Sequence, residues 1–298
     1  MKDLSVRAQV SAVEVSSNDD EKDQMPEEAP PVKISKLVLK DECRSASLKT
    51  IFRANDELEA RFVEDDHKQV FNGDGQLIAK NSTYLAEAIK LFERLLQMCR
   101  YEVVDIDVSL YLTEYPYARS EIQYLPKLKR ATIRAETDEE LRFWLRKMPD
   151  HLEHVTFTRR TPPTLPDIFS MPQLVNADSL VCDATVHLTE AQLLGLQASR
   201  CYFANTPHTT YREVNAFMKQ WQFGQGAVRF ARLALNGVEP GDEEVLIEGL
   251  DSRPEPLDGL VREENEYTRA VPSKVRPHER LRLIVNYQSV IIAVTYND

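Results

Sequence analysis

The sequence predicts an α/β fold: a leucine-rich-repeat-like open solenoid of short parallel strands and helices, with β-hairpins toward both ends. Three observations predict it. First, an apolar-x-x-apolar-x-apolar triplet recurs at Val103, Ile106 and Val108; Leu128, Ala131 and Ile133; Leu152, Val155 and Phe157; Ala177, Leu180 and Cys182; Ala198, Cys201 and Phe203; and Phe230, Leu233 and Leu235. Second, these triplets start 25, 24, 25, 21 and 32 residues apart, the spacing of units that bury an apolar strand edge only against their neighbours. Third, amphipathic helical segments alternate with the triplets, and β-rich runs flank the array.

Residues 1 to 31 read as a disordered acidic tail. Glu14, Asp19, Asp20, Glu21, Asp23, Glu27 and Glu28 are interleaved with Ser and Pro, and there is little large and apolar to bury. The region 32 to 298 reads as one continuous body, since a repeat array needs no internal boundary. Ile34, Leu37 and Leu39 repeat the triplet and predict a first strand. Leu58 to Val63 and Gln69 to Phe71 alternate apolar with polar, turn at Asn72-Gly73-Asp74-Gly75 and resume at Gln76 to Ala79, a hairpin signature. Tyr84 to Met98 predicts a helix with Leu85, Ile89, Phe92, Leu95 and Leu96 on its inner face.

Thr137 to Lys147 predicts a helix opened by a capping box of Thr137 and Glu140, with Leu141, Trp144, Leu145 and Met148 on one stripe. Leu188 to Leu196 and Thr209 to Trp221 repeat the arrangement. The second has a capping box at Thr210 and Glu213 and a stripe of Val214, Phe217, Met218 and Trp221. Trp144 and Trp221 are read as core residues, because aromatics at helical spacing face the interior. Pro254, Pro256 and Gly259 end the pattern, and Leu281 to Tyr287 with Val290 to Tyr296 predict a closing hairpin that covers the end of the array.

Composition narrows the function. With 48 acidic and 37 basic residues the net charge is -11, which argues against nucleic acid and anionic membranes as partners. No run approaches the roughly 20 apolar residues of a membrane helix, and the N-terminus lacks the parts of a signal peptide, so a cytoplasmic or nuclear protein is expected. Cys43, Cys99, Cys182 and Cys201 form no CxxC and read as small buried hydrophobes. His151 and His154 are three apart in or before a strand, where that spacing sends side chains to opposite faces, so no metal is expected. Glycine-rich phosphate loops, nucleophile motifs and paired-carboxylate signatures are absent, which predicts a non-enzyme without cofactor.

Local motifs also carry a resemblance. Thr210 to Trp221 (TYREVNAFMKQW) followed by an apolar strand resembles the "dLNxFlKxW" segment of the nematode F-box-associated domain of the second type. Leu188 to Leu194 resembles that family's "lTxeqLL", Glu243 to Leu250 its "eeilxGL", and Phe92 with the following strand its "lF...i..L.i" segment. The resemblance spans roughly 32 to 298 and is most specific from 171 to 250. It implies the substrate-recognition domain of adaptors of cullin-type (SCF) ubiquitin ligases, whose F-box docks a Skp1-like subunit. The sequence departs from the family in two places. No Leu-Pro followed by an apolar helix precedes Val32, which puts the Skp1-like subunit in question as a partner, and His278-Glu279 stands where the family has an Asp-Gly turn. The alternative is a stand-alone scaffold or inhibitor that keeps the fold; an enzyme of unknown class is the remote third reading.

Strand alternation turns the residues between the triplet positions away from the core. These are Asp105 and Asp107; Arg130, Thr132 and Arg134; His154, Thr156 and Thr158; Ser179 and Val181; Arg200 and Tyr202; and Arg232 and Ala234. In register they predict an open face that runs from acidic to basic. Arg and Tyr are favoured at interfaces, so Arg130, Arg134, His154, Arg200, Tyr202 and Arg232 are the candidate protein-binding residues.

Overall fold

Ile34, Leu37 and Leu39 face Val103, Ile106 and Val108 across adjacent parallel strands, so two apolar triplets from distant parts of the chain meet residue for residue. The computed structural model describes residues 32–42, 45–53, 56–97, 101–110, 115–159, 166–235, 242–254, 267–286 and 289–296. The expected tail, Cys43 and Cys99 lie outside the described residues. The chain packs as two compact units divided near residue 112, with Ser120–Gln123 returning to the first.

The first unit contains β1 (Val32–Ile34), β2 (Lys36–Asp41), β3 (Ser45–Arg53), β4 (Asp56–Glu64), β5 (Gln69–Asn72), β6 (Leu77–Lys80), α1 (Tyr84–Gln97), β7 (Tyr101–Val103) and β8 (Asp105–Ser109). Its sheet runs β8-β2-β3-β4-β5-β6, while β1 pairs with β7. From β2 to β6 every pairing is antiparallel. The predicted turn closes β5 on β6: Asn72 Oδ1 accepts from the backbone N–H of Asp74 at 3.1 Å and of Gln76 at 2.8 Å. Gly75 supplies the left-handed φ of 78° that the turn needs. The helix α1 lies on β3 and β4 and buries Leu85, Ala88, Ile89, Phe92 and Leu96.

The second unit contains β9 (Arg130–Arg134), α2 (Asp138–Arg146), β10 (His154–Thr158), α3 (Pro172–Val175), β11 (Ser179–Thr185), α4 (Glu190–Gly195), β12 (Arg200–Asn205), α5 (Tyr211–Gln222), β13 (Phe230–Leu233) and α6 (Asp242–Ile247). It ends with β14 (Arg253–Pro254), β15 (Tyr267–Pro272), β16 (Glu279–Asn286) and β17 (Ser289–Tyr296). Its sheet runs β14-β15-β16-β17-β13-β12-β11-β10-β9. The strands β9 to β13 are parallel and bury Ala131, Ile133, Val155, Phe157, Leu180, Cys182, Cys201 and Phe203 on one face. Phe169 bridges this face, with ring centroids 5.9 Å from Phe157 and 6.0 Å from Phe203.

This architecture corrects the expected solenoid. Among the described residues fifteen strands belong to mixed sheet structure, six in the first unit and nine in the second. Among the described residues eight strand pairings are antiparallel and six parallel. Among the described residues helices are few, and only α1, α2 and α5 exceed six residues. The physical reason is that the triplet strands β9 to β13 are parallel, but the flanking runs β2 to β6 and β14 to β17 pair antiparallel and make up much of the sheet, and alternation says nothing about strand direction. An antiparallel strand alternates in the same way as a parallel one. The C-terminal hairpin of β16 and β17 pairs β17 antiparallel to β13 and extends the sheet instead of ending a stack of repeats.

Two local expectations also change. Thr137 caps α2 by accepting from the Glu140 N–H at 3.2 Å, but the Glu140 carboxylate does not return to Thr137. It accepts from the backbone N–H of Tyr115 at 3.0 Å and of Glu136 at 2.9 Å, clipping an earlier loop to the helix start. The sixth triplet is displaced by two residues: Val228, Ala231 and Leu233 are buried, and Phe230 faces outward. The box at Thr210 and Glu213 forms in both directions, at 3.3 and 2.6 Å. Among the described residues no helix is long and apolar enough to cross a membrane.

Candidate functional site

The strands β9 to β13 are in register, so the residues between the buried positions form rows across the second unit's open face. One row reads Arg130, His154, Ser179, Arg200 and Phe230. The next reads Thr132, Thr156, Val181, Tyr202 and Arg232. Neighbours in a row sit about 4.8 Å apart, and successive rows about 6.6 Å apart. The hairpin continues both rows, placing Ala293 beside Phe230 and Ile291 beside Arg232, then Arg282 and Ile284 beyond them.

Three predicted residues come together here. Arg200 and Tyr202 on β12 lie beside Phe230 and Arg232 on β13, giving a two-by-two checkerboard in which each arginine has an aromatic neighbour. The Arg232 guanidinium lies over the Tyr202 ring at 5.5 Å, within reach of the ring's negative face. Phe230 is 38% exposed. Ser179, Val181, Arg200, Tyr202 and Phe230 line an apolar concavity of about 180 Å³. Arg200 and Arg232 have no ion-pair partner among the described residues.

The other three candidates are engaged within the protein. His154 lies beside Arg130 in the first row, and its ring nitrogens meet Ser179 Oγ at 3.0 Å and Thr156 Oγ1 at 2.8 Å. Hydroxyls can donate or accept, so both bonds stand in either tautomer. Arg130 is exposed, and its charge helps to hold Glu153 below its ordinary value, after the hydrogen bond from Lys129. Arg134 is mostly covered, its side chain 13% exposed and its Nε 3.4 Å from Glu136. That overturns its expected exposure, because the side chain folds along the sheet toward an acid just past the strand end.

The acidic end of the expected face belongs to the first unit, and Asp105 is buried there instead of open to solvent. Apart from Arg134, which meets Glu136, the outward strand positions on β9 to β13 carry Arg130, Arg200 and Arg232 against one acid, Asp183. That local excess of positive charge stands on a chain of net charge -11. His151 meets Asp178 at 3.1 Å, apart from the bonds of His154. Among the described residues no three His, Cys, Asp or Glu side chains converge as metal ligands. Cys182 and Cys201 are buried, and burial pushes the Cys201 thiol up to about 12, so it stays protonated and unreactive.

The sequence reading missed Phe230 and the hairpin residues Ile284, Ile291 and Arg282. Phe230 was hidden because a triplet starting at Phe230 and one starting at Val228 both fit the spacing.

The chain is similar to an uncharacterized protein of Caenorhabditis elegans, with 25% identity over 182 residues that cover 59% of this chain and 46% of the relative. The relative is an F-box protein. The chain thus matches about half of the relative's length. No family model matches the chain, and no solved structure matches it.

Proposed function

We propose that the chain is a non-catalytic protein-interaction module of the F-box-associated type, acting without cofactor in the cytoplasm or nucleus. Its binding face is the open side of β12 and β13. The observation that carries this reading is the checkerboard on the open sheet face, with Arg200, Phe230 and Arg232 exposed, Tyr202 half-buried, and neither arginine in an ion pair among the described residues. Arginines and aromatics beside an apolar concavity are the residue types that dominate binding energy at protein interfaces. The similarity to an F-box protein supports a role in protein interaction, the role that the family resemblance of the sequence implies.

The test compares affinity purification of the full chain with that of the Arg200→Glu/Arg232→Glu variant. A partner captured by the parent and lost from an equally stable variant supports the face. Capture of a Skp1-like subunit and a cullin with it assigns the chain to a ubiquitin ligase, whereas a partner without them assigns a scaffold or inhibitor. An identical set of proteins from parent and variant removes this face as the binding site.

A further inference from the structure

We infer that the checkerboard recognises an extended acidic segment carrying two carboxylates two residues apart, Asp/Glu-x-Asp/Glu, with an adjacent apolar side chain. This rests on the reading of β12 and β13 as a binding face and specifies what that face takes. Arg200 and Arg232 occupy diagonal corners, since Arg200 pairs with Phe230 and Tyr202 with Arg232. Strand spacing and rise put those corners about 8 Å apart. An extended peptide carries its i and i+2 side chains on one face about 6.6 Å apart, close enough for two flexible guanidinium groups to meet both carboxylates.

The remaining corners supply the apolar contact. Tyr202 and Phe230 border the concavity of about 180 Å³ together with Val181. The concavity is open to solvent, so it can take one apolar side chain laid against Val181, Tyr202 and Phe230. Arg232 is already steered by the Tyr202 ring, which reduces the freedom it loses on meeting a carboxylate. The neighbouring acid on the face, Asp183, is two positions beyond Val181 on β11 and outside the checkerboard. Aromatic and arginine side chains on a sheet can also stack single-stranded nucleic acid. The acidic segment is favoured because two arginines match two carboxylates, whereas a single strand brings a phosphate with every nucleotide, and beyond Arg232 its row continues through Ile291 and Ile284, with Arg282 standing in the other row.

The test selects a random dodecapeptide phage library on the immobilised full chain and measures the enriched sequences as labelled peptides. Enriched peptides should share an acid-x-acid pair beside an apolar residue. Arg200→Glu/Arg232→Glu should weaken them about tenfold or more, and Arg200→Gln/Arg232→Gln should do so in smaller measure. Raising salt from about 0.1 M to about 1 M should weaken the parent's binding, as the screening length falls from about 10 to about 3 Å. The Gln variant decides the matter if the Glu variant fails to fold. The inference is overturned by enrichment of peptides without the acidic pair or with acids four apart, by binding that both variants retain, by no enrichment, or by binding of a labelled single-stranded RNA in place of peptides. If the variants still lose their partner in affinity purification while no acidic peptide binds, the face survives and only the acidic segment is refuted.

Discussion

Asn215 donates from Nδ2 to the carbonyl oxygen of Leu246 at 2.7 Å, and the same nitrogen reaches the carbonyl of Glu248 at 3.1 Å. Asn215 stands in α5, and both acceptors lie at the end of α6 and just beyond it. A few residues on, Gly249 takes a φ of 71° so close to Lys219 that a β-carbon there would meet its Cε and Nζ at 3.3 Å. Asn215 and Lys219 belong to the TYREVNAFMKQW stretch, and Leu246 to Gly249 to the EEVLIEGL stretch. Two of the segments that carry the family resemblance are therefore partners in one packing contact. Their residue types answer to helix-end carbonyls and to the left-handed backbone at Gly249, which gives these positions a structural role.

Asn215→Ala should lower stability by about 1 to 3 kcal/mol, because it leaves buried carbonyls without a donor. Asn215→Asp should cost more, since a carboxylate offers those carbonyls no donor and places negative charge beside them. Urea unfolding of the full chain measures both. A variant as stable as the parent would show that Asn215 does not hold α6.

Trp221 is 3% exposed and its indole nitrogen makes no hydrogen bond. Trp221→Ala should therefore destabilise by roughly 3 to 5 kcal/mol through lost burial and a cavity. Trp221→Phe should cost only about 1 to 2 kcal/mol, as it removes ring volume but no hydrogen bond. Equal losses from the two changes would mean that the indole nitrogen is bonded in solution.

What the sequence revealed was local. Tyr84 to Gln97, the Asn72 turn and the Thr210 box are each written within a few residues, and the structure forms each of them. Glu140 sits in the same spacing as Glu213, yet its carboxylate goes to Tyr115, a partner that no helical pattern encodes. Strand direction was illegible for a similar reason. Leu37 and Leu39 alternate alike whether the neighbour is antiparallel β3 or parallel β8, and both flank β2. Arg130, Arg200 and Arg232 on the open face could be read from alternation alone, but Arg134, drawn to Glu136, could not. Placing Tyr202 beside Arg232, and Phe230 beside Arg200, required the register of β12 and β13.

That register can be checked by stability alone. Phe230→Ser should change stability by no more than about 0.5 to 1 kcal/mol, because the ring faces outward and is partly open to solvent. Leu233→Ala, at a fully buried position, should cost about 2 to 5 kcal/mol. The opposite ranking in thermal unfolding would restore Phe230 to the core and dissolve the checkerboard.

Acid sensitivity should centre on Glu279, which opens β16 and is 4% exposed. Burial by itself would raise its carboxyl, but hydrogen bonds from Arg229 at 2.7 Å and Arg276 at 3.0 Å outweigh it and hold the group below its ordinary value of 4.5. A carboxyl lowered on folding contributes stability that is fully present above its unfolded value and is lost as the pH falls through its folded value. The parent should therefore lose stability below about pH 4.5 as Glu279 takes up a proton and both arginines lose their counter-charge. Glu279→Gln should be less stable at neutral pH by about 1 to 3 kcal/mol, the range for a hydrogen bond to a charged group. Its stability should also fall less steeply than the parent's on the acid side, since this group no longer titrates. Urea midpoints measured from pH 7 down to pH 3 give both quantities, and parallel profiles for parent and variant would show that Glu279 does not carry the acid transition.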